Sequence, residues 1–304
     1  MTGVAFIDAA ELARRLPMVT AIDALEAAFR DGDPSATPIR SSVRTAAGSL
    51  LTMPATGPEG SGVKLVTITP DNPTRGEPLI GAVYVLFDPR TQRPEAVFDG
   101  AALTALRTGA VSALATRLLA RGDARRLVLF GAGVQARAHL DAIVAVRPIE
   151  EVVIVSRSED RAAALAKLAQ DAGLISSLAD ASAVVDADVV CTCTTSGEPL
   201  FDGRLLAQGA HVNAVGAYTP LTRELDEATV RRAAVVVETR EAALTEAGDL
   251  LIPFGGPVGA GAAIVADLAE VVRGKAVEGE ITVFESVGLA FEDLVVARAA
   301  VSAG

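Results

Sequence analysis

Apolar residues in the first hundred positions follow two different spacings. Between residues 8 and 30 the spacing is helical and predicts one or two helices. Residues 33–62 are rich in Pro, Gly, Ser and Thr and predict short strands broken by turns. Three further apolar runs predict strands at residues 63–69, 82–87 and 95–98, the last two joined by a hairpin turn at 88–93. This region is therefore expected to be α+β, with an antiparallel sheet.

From residue 101 onward, the pattern changes to an alternation of strands and helices. An Ala-rich helix is predicted at 101–120. Strands are then predicted at 126–130, 151–156, 174–178, 189–194, 210–215, 234–238 and 281–284, and helices at 134–146, 159–171, 180–186, 225–232 and 290–303. Such an alternation is typical of an α/β fold, here a Rossmann-type doubly wound parallel sheet covered on both faces. The α+β region forms a second domain, to which we expect the last helix to return.

Composition narrows the functional classes. The chain has 304 residues, half of them apolar, enough for one large or two ordinary domains. A net charge of −11 without a basic cluster argues against a nucleic-acid partner. The acidic start resembles no signal peptide, and no apolar run approaches the roughly 20 residues that span a bilayer. We therefore expect a cytoplasmic protein with no membrane partner, in which Cys191 and Cys193 stay reduced. Two histidines without a Cys/His cluster predict no metal site.

The most informative motif follows the strand predicted at 126–130. It reads Gly131-x-Gly133-x-x-Ala136 and leads into a helix. Gly131 permits the tight turn, Gly133 lets the backbone approach a pyrophosphate, and Ala136 lets the helix pack on the strand. The free N–H groups of the helix N-terminus suit an anion. The motif therefore predicts a dinucleotide-binding domain.

The tip of the next strand bears on the choice of coenzyme. An Asp or Glu there binds the adenosine ribose of NAD, whereas an Arg accommodates the extra phosphate of NADP. Here the tip is Ser156-Arg157-Ser158, without an acid. A guanidinium flanked by hydroxyls suits a phosphate monoester, so we expect NADP(H) rather than NAD(H). The alternative is that Arg157 is an ordinary solvated surface residue.

The chain also resembles the ornithine cyclodeaminase/mu-crystallin family. The matching segments keep family order across nearly the whole chain: Met53–Ala55, Gly62–Val66, Val97–Gly100, Leu103–Ala110, Gly131–Ala136, Val212–Ala217, Glu246–Asp249 and Phe284–Ala290. The resemblance implies a homodimer whose residues 1–106 and 289–304 form the substrate-binding and dimerisation domain. Residues 107–288 would form the NAD(P)-binding Rossmann domain. Members move a hydride between a nicotinamide and the α-carbon of an amino or imino acid.

The resemblance also implies residues for the substrate. Arg44 and Lys64 would hold its carboxylate, with Gly288 from the nicotinamide-side loop and Arg107 beside both substrate and coenzyme. An ammonium such as that of Lys64, inside an apolar strand, is unfavourable unless it is paired or used. Alternatively, Arg44 forms a surface salt bridge, the Lys64 side chain extends to solvent, and Arg107 forms an ion pair at a helix end.

Further positions would contact the coenzyme. By their place in the motifs or at the carboxyl ends of strands, these are Arg107, Thr108, Gly131, Gly133, Val134, Gln135, Ser156, Arg157, Ser158, Thr194, Thr195, Val215 and Ser286. His139, on the helix after the glycine turn, is expected to pack or cap rather than to catalyse.

One departure from the family affects the expected chemistry. Cyclodeaminase and archaeal alanine dehydrogenase members carry an Asp after the fifth strand, where this chain has Tyr218 in Val215-Gly216-Ala217-Tyr218. Asp226 nearby is expected to start a helix. The ketimine reductase branch also lacks that Asp, so its absence argues against ornithine cyclisation and not against reduction. Glu246 would stabilise an iminium charge, and Tyr218 would relay a proton unless it is only a packing residue.

These observations predict an NAD(P)H-dependent oxidoreductase that reduces the C=N bond of a small 2-imino carboxylate, or dehydrogenates an amino acid in reverse. The expected substrate is of the ketimine or pyrroline-2-carboxylate type, and Lys64 is the first choice for the group that keeps its nitrogen protonated. Two alternatives stay open. One is a true ornithine cyclodeaminase, and the other is a non-catalytic protein that binds NADPH or a small ligand, as mu-crystallins do.

Overall fold

The computed structural model describes residues 4–58 and 60–303, and the chain divides into two compact units. Unit 1 comprises Met1–Arg107 with Leu289–Gly304, and unit 2 comprises Thr108–Gly288. The division falls within one continuous helix rather than in a linker. Arg107, expected at the start of the Rossmann domain, therefore falls at the end of the first segment of unit 1.

In the described part of the chain before residue 100, two α-helices and six strands are present. They are β1 (Ala5–Ile7), α1 (Ala9–Arg15), α2 (Met18–Asp31), β2 (Ser41–Thr45), β3 (Gly48–Gly57), β4 (Gly60–Ile68), β5 (Ile80–Phe87) and β6 (Pro94–Asp99). The helical pattern at 8–30 resolves into two helices because Pro17 lies between them and disfavours helical backbone in the residue before it. Asp8 caps the first helix by accepting a hydrogen bond from the Glu11 N–H at 2.8 Å.

Strand β3 is longer than the sequence predicts. It covers ten residues and includes Pro54, which ordinarily argues against a strand. Strand β2 pairs only with Gly48–Thr52, so at Pro54 one side of β3 has no neighbouring strand in the described residues. A proline there removes no ladder hydrogen bond on that side, which is why the strand continues through it.

The rest of the chain alternates helices and parallel strands. It contains α3 (Gly100–Leu119), β7 (Arg126–Phe130), α4 (Val134–Val144), β8 (Glu151–Val155), α5 (Glu159–Asp171), β9 (Ile175–Leu178), β10 (Val189–Thr192), β11 (His211–Ala214), α6 (Glu227–Arg232), β12 (Ala233–Val237), α7 (Arg240–Glu246), α8 (Gly248–Leu251), α9 (Pro257–Ala263), β13 (Ile264–Asp267), α10 (Leu268–Val272), β14 (Ile281–Glu285) and α11 (Ala290–Ser302).

Each unit is built on its own sheet. In unit 1 the order is β1-β6-β5-β4-β3-β2, antiparallel except that β1 runs parallel to β6, and α11 packs on α2, β3 and β4. In unit 2, eight parallel strands follow the order β13-β12-β14-β11-β10-β7-β8-β9. The chain leaves β7 in one direction and returns to β10 on its other side, so the strand order reverses between these two strands. Ligands bind at this kind of reversal, beyond the carboxyl ends of the strands. The predicted fold class, a doubly wound α/β sheet plus a second domain with its own sheet, is confirmed.

Two segments differ from the sequence-based prediction. Residues 180–186 form a 3₁₀ segment (Ala181–Asp186) rather than an α-helix, begun by Asp180, which accepts the Ser182 N–H at 2.8 Å. Residues 240–272 hold three short helices, an edge strand and a further helix that periodicity did not indicate. These elements are four to seven residues long. Runs this short span less than two helical turns and show little periodicity.

The interior of unit 2 is largely apolar. Every residue of β10 and β11 is buried, and the buried Asn213 amide donates to the Thr116 hydroxyl of α3 at 2.9 Å. Cys191 and Cys193 are free thiols. Among the described residues, no helix combines the length and the apolar character needed to cross a membrane. Within the same ranges, no group of His, Cys, Asp and Glu is arranged to hold a metal ion.

Candidate functional site

The glycine turn of unit 2 has the geometry of an anion cradle. Gly131 has φ +102°, and a Cβ there would lie 2.5 Å from the Cys193 carbonyl oxygen, so a side chain is excluded on both counts. A Cβ at Gly133 would meet nothing within 4 Å, which leaves open space over the turn. Gly133 is also the N-cap of α4, without a side-chain cap. The first N–H groups of α4 therefore face that space, as a pyrophosphate requires.

The next two residues of this turn are also placed to contact a ligand. Val134 is 68% exposed, which is unusual for a valine at the start of a helix. The buried Gln135 Oε1 has no hydrogen-bond partner among the described residues. Both features fit a bound group that covers the turn.

The tip of β8 carries the predicted coenzyme-selecting residues. Arg157 is exposed and has no ion pair in the described part of the chain, while Ser156 and Ser158 are half-buried. The Ser158 N–H donates to Ser156 Oγ at 3.2 Å, and Ser158 starts α5 without a side-chain cap. A phosphate could thus meet a free guanidinium and uncapped helix N–H groups at one place.

A buried carboxylate that the sequence analysis missed links two strand ends. Glu224 Oε1 accepts the Thr194 N–H at 2.8 Å and the Thr194 hydroxyl at 2.5 Å, and its Oε2 accepts the Gly216 N–H at 2.8 Å. Thr194 follows β10 and Gly216 follows β11. The Thr194 hydroxyl donates to Glu224 and accepts the Ser196 N–H at 3.0 Å, so Thr194 is left to contact a ligand chiefly through its methyl group and backbone. Thr195 is exposed and Val215 half-buried.

A second missed carboxylate holds the loop after β14. Glu238, which follows β12, accepts the Ser286 hydroxyl at 2.6 Å and the Gly288 N–H at 2.7 Å. Gly288 has φ +82°, a conformation that favours glycine. Ser286 and Gly288 are therefore fixed by Glu238 within unit 2, and the Ser286 hydroxyl retains only acceptor capacity.

In unit 1, two of the three predicted cations lie in one buried ion-pair cluster. Lys64 Nζ lies 2.8 Å from Asp293 Oδ2. Arg107 Nη1 lies 2.9 Å from Glu292 Oε2, and Arg107 Nε lies 3.3 Å from Asp293 Oδ1. The side chains of Lys64 and Arg107 are 2% and 6% exposed, and those of both acids are fully buried. Lys64 is thus paired rather than extended to solvent, and Arg107, in the interior of α3, is paired with both acids of α11.

Burial sets the protonation of Lys64. Removal from water lowers its pKa to about 8; the Asp293 carboxylate opposes this shift, while the charges of Arg107 and Arg40 add to it. Tyr84 lies opposite Lys64 across the β4–β5 ladder, and its buried hydroxyl has no hydrogen-bond partner in residues 4–58 and 60–303. Burial raises the pKa of Tyr84, so its hydroxyl keeps its proton.

The third cation stands apart. Arg44 is exposed on the edge strand β2, opposite Ser49, and takes no part in the buried pairs. Arg40, whose charge acts on Lys64, was not predicted from the sequence. Neither were Glu292 and Asp293, although a signal was present. Two adjacent carboxylates within the mostly apolar, buried helix α11 require buried cations as partners.

Five further residues singled out in the sequence have defined surroundings in the structure. Tyr218 is half-buried in the loop after β11, and Glu246 is half-buried at the end of α7. Asp226 caps α6 by accepting the Thr229 N–H at 2.8 Å. His139 is buried, with Nδ1 2.7 Å from the Gln135 carbonyl oxygen and Nε2 2.9 Å from Ser112 Oγ, which is a packing role. Thr108 is buried, and its hydroxyl lacks a partner among the described residues.

Comparison with known proteins gives a consistent result. Residues 4–302 match the family model described as the ornithine cyclodeaminase/mu-crystallin family. A Delta(1)-pyrroline-2-carboxylate reductase of Bacillus thuringiensis is 39% identical over 275 residues, which cover 86% of this chain and 84% of the relative. The ketimine reductase mu-crystallin of Mus musculus is 42% identical over 238 residues, 77% of this chain and 73% of the relative.

A solved structure gives the same result. The Delta(1)-pyrroline-2-carboxylate reductase of Thermococcus litoralis, in complex with NADH and L-proline, superposes with a TM-score of 0.90. It is 34% identical, and the superposition covers 99% of this chain and 97% of that one. These relatives confirm the predicted family and its imine-reducing branch.

Proposed function

Because this chain belongs to the ornithine cyclodeaminase/mu-crystallin family, we propose that it is a nicotinamide-dependent imine reductase. It reduces the C=N bond of a small cyclic or open-chain 2-imino carboxylate to an L-amino acid, and it runs in reverse as an amino-acid dehydrogenase. Among its own residues, the observation that carries the proposal is the buried ammonium of Lys64 on β4, 2.8 Å from Asp293, with a pKa lowered to about 8. A proton source near neutral pH is what reduction of an imine needs, because hydride adds readily only to the protonated C=N bond.

The substrate carboxylate is assigned to Arg44, Lys64 and Arg107. Lys64 and Arg107 are balanced by Asp293 and Glu292, so the buried cluster carries no net charge when all four groups are ionised. The uncompensated positive charge comes from Arg44, which is exposed and unpaired in the described residues. Arg44 therefore supplies most of the attraction, while Lys64 and Arg107 provide directed N–H donors.

The proton is assigned to Lys64. As an ammonium it is an acid at neutral pH, and the Asp293 carboxylate stabilises the charged form before transfer. Glu246 is assigned to stabilise the iminium charge, and Tyr218 to relay a proton to or from solvent. Gly288, which Glu238 holds within unit 2, is assigned to contact the substrate through its backbone.

The coenzyme supplies the hydride when bound. The open space over Gly133 and the uncapped start of α4 fit its pyrophosphate, and Gln135 Oε1 is free to accept a hydrogen bond from an O–H or N–H group of the coenzyme. We further assign its contacts to Thr108, Thr194, Thr195, Val215 and Ser286, together with Arg107, Gly131 and Val134. The free Arg157 between Ser156 and Ser158 supports NADP(H) over NAD(H).

The homodimer implied by the resemblance is also proposed. Every residue of strand β2 is exposed, including Val43 at 63%, and among the described residues no strand pairs with its outer edge. A second copy that covers this edge would remove an aggregation hazard. Light scattering on the purified protein should give twice the mass of the chain, and a monomeric mass would reject the dimer.

The enzymatic test is a panel of imines with both reduced coenzymes. Loss of NADPH absorbance with pyrroline-2-carboxylate, piperideine-2-carboxylate, or an oxo acid plus an amine supports the proposal. Tight NADPH binding without turnover of any of these would favour the ligand-binding alternative. Proline formation from ornithine, without net change of the coenzyme, would instead indicate a cyclodeaminase, against which Tyr218 argues.

A further inference from the structure

Unit 2 contains a group of buried carboxyl side chains that none of the assigned steps uses, here called the carboxyl cluster. Its members share a position at the carboxyl ends of neighbouring strands or in the segments that follow: Glu224, Glu238, Asp249 and Glu285. All are at most 1% exposed. Glu285 ends β14 and is in register with Ala214 of β11 and Val237 of β12. The cluster therefore lies at the edge of the sheet where coenzymes bind.

The hydrogen bonds in this cluster are unevenly distributed. Glu224 and Glu238 each accept hydrogen bonds on both oxygens, as described above. Asp249 Oδ1 accepts the N–H groups of Glu224 at 2.8 Å and Leu225 at 2.6 Å. Asp249 Oδ2 and both oxygens of Glu285 are buried without a partner among the described residues. Glu224 and Glu238 are thus hydrogen-bonded on both carboxyl oxygens. Asp249 is bonded on one oxygen, and Glu285 on neither within the described residues.

This distribution decides which members hold protons. A buried carboxylate is stable when N–H and O–H groups donate to it, and is otherwise driven to its neutral form. Burial raises the pKa of Glu285 well above its usual range, and the charges of Asp249, Glu224 and Glu238 add to the shift. Burial raises the pKa of Asp249 to about 7; the charge of Glu224 adds to the shift, while Arg223 and the N–H donors oppose it. Glu285 is therefore neutral, and Asp249 is half protonated near pH 7.

We propose that the carboxyl cluster is a proton store that responds to the charge of the nicotinamide ring, with Asp249 as the member that gains and loses the proton. The proposal rests on the coenzyme binding described above. The oxidised ring carries a positive charge that the reduced ring lacks. A positive charge at this edge of the sheet stabilises ionised Asp249, so the equilibrium Asp249–COOH to Asp249–COO⁻ plus H⁺ moves to the right. The proton goes to solvent, and no electron transfer is involved.

The consequence is that the protein distinguishes the two coenzyme forms by proton count. Oxidised coenzyme binds with proton release, and reduced coenzyme binds without it. Because a group with a pKa of about 7 is half protonated at that pH, the excess release is about half a proton per site. The affinity for the oxidised form should rise about tenfold between about pH 6 and about pH 8, while that for the reduced form changes less.

Isothermal titration calorimetry of the full-length protein tests this directly. Binding of NADP⁺ and of NADPH, and of NAD⁺ and of NADH, is measured near pH 7 in buffers of different ionisation enthalpy. The slope of heat against ionisation enthalpy counts the protons. Comparing the oxidised with the reduced form of one coenzyme cancels any titration of its phosphates. Equal proton counts for the two forms would overturn the proposal even if both bind tightly. Binding of neither would reject the proposed function, and the proton store with it.

Two variants identify the titrating group. Asp249→Asn keeps an oxygen that accepts the two backbone N–H groups but cannot ionise, so the excess release should fall to zero. Asp226→Asn makes the same change at the cap of α6, outside the cluster, where Asn is an equally good cap, and should keep the excess release. Full excess release in Asp249→Asn would overturn the assignment. If that variant does not fold, the pH dependence of the unmodified protein still decides, because an affinity for the oxidised coenzyme that does not rise through pH 7 contradicts the store.

Discussion

Replacing Asp293 with Asn tests the buried cluster of unit 1. The Asp293 carboxylate lies 2.8 Å from Lys64 Nζ and 3.3 Å from Arg107 Nε, so Asp293→Asn leaves two buried cations with Glu292 alone. Removal of one partner of a buried ion pair lowers the free energy of unfolding by about 3–5 kcal/mol. We expect a loss in that range near pH 7.

The loss should depend on pH in a defined direction. The folded pKa of Lys64 is about 8, below its ordinary value of 10.5, so the folded state releases this proton first. The contribution of Lys64 to stability therefore improves as pH rises from about 8 towards 10.5. In Asp293→Asn the pKa of Lys64 falls further. At alkaline pH, Lys64 is neutral in both folded proteins, so the difference between them should shrink.

Urea unfolding at about pH 7 and about pH 9.5 measures both effects. Glu95→Gln is the matched control, because it removes an acid from a partly exposed ion pair with Arg298 at 2.8 Å in the same unit. That control should lose less than about 1 kcal/mol, since water compensates for the lost partner. A loss below about 1 kcal/mol in Asp293→Asn, or one that grows with pH, would refute the reasoning.

The remaining predictions concern the coenzyme and the proton. Arg157→Asp should weaken NADPH binding by about 1–3 kcal/mol and leave NADH binding largely unchanged. As a control, Arg161→Asp on the exposed face of α5 should affect the binding of the two coenzymes equally. An unchanged preference for NADPH in Arg157→Asp rejects NADP selection by this residue. The kcat/KM for imine reduction should fall as pH rises through about 8. In Lys64→Arg this fall should occur at higher pH. If the fall occurs at the same pH in the variant, Lys64 is excluded as the acid. Gly133→Ala should weaken coenzyme binding and leave the free energy of unfolding unchanged. Gly131→Ala, at φ +102°, should lower the free energy of unfolding by about 1–3 kcal/mol in a thermal or urea melt. An equal loss of stability in the two variants would contradict the cradle.

Periodicity predicted the long elements well because burial imposes a strong pattern on them. The strand at 126–130 and the helix at 159–171 have the predicted bounds, since the strand is apolar throughout and the helix alternates apolar and charged faces. The elements in 240–272 were missed because they are too short to show a period. Strand β3 was underestimated because Pro54 ordinarily ends a strand, and only the pairing shows that one side there has no neighbour.

The candidate site could be predicted only in part. The glycine turn and the cations lie in local motifs that a single sequence shows. The resemblance to the family, now confirmed, indicates which of these motifs belong to the coenzyme and which to the substrate. The carboxylates that hold these groups lie far away along the chain: Asp293 pairs with Lys64 across 229 positions, and Glu224 reaches Thr194 across 30. A single sequence shows an acid in an apolar run, but not which group it faces. The choice between NADP and NAD stays a prediction, because it depends on the one exposed guanidinium of Arg157.

The central claim is that hydride passes from the coenzyme directly to the imine carbon, and deuterium tracing tests it most directly. The full-length protein is incubated with pyrroline-2-carboxylate and NADPH that carries deuterium at the transferred position of the nicotinamide ring. Direct transfer should give L-proline with one deuterium, bound to the α-carbon. Proline without deuterium at that carbon, or labelled coenzyme that is never consumed, would contradict it.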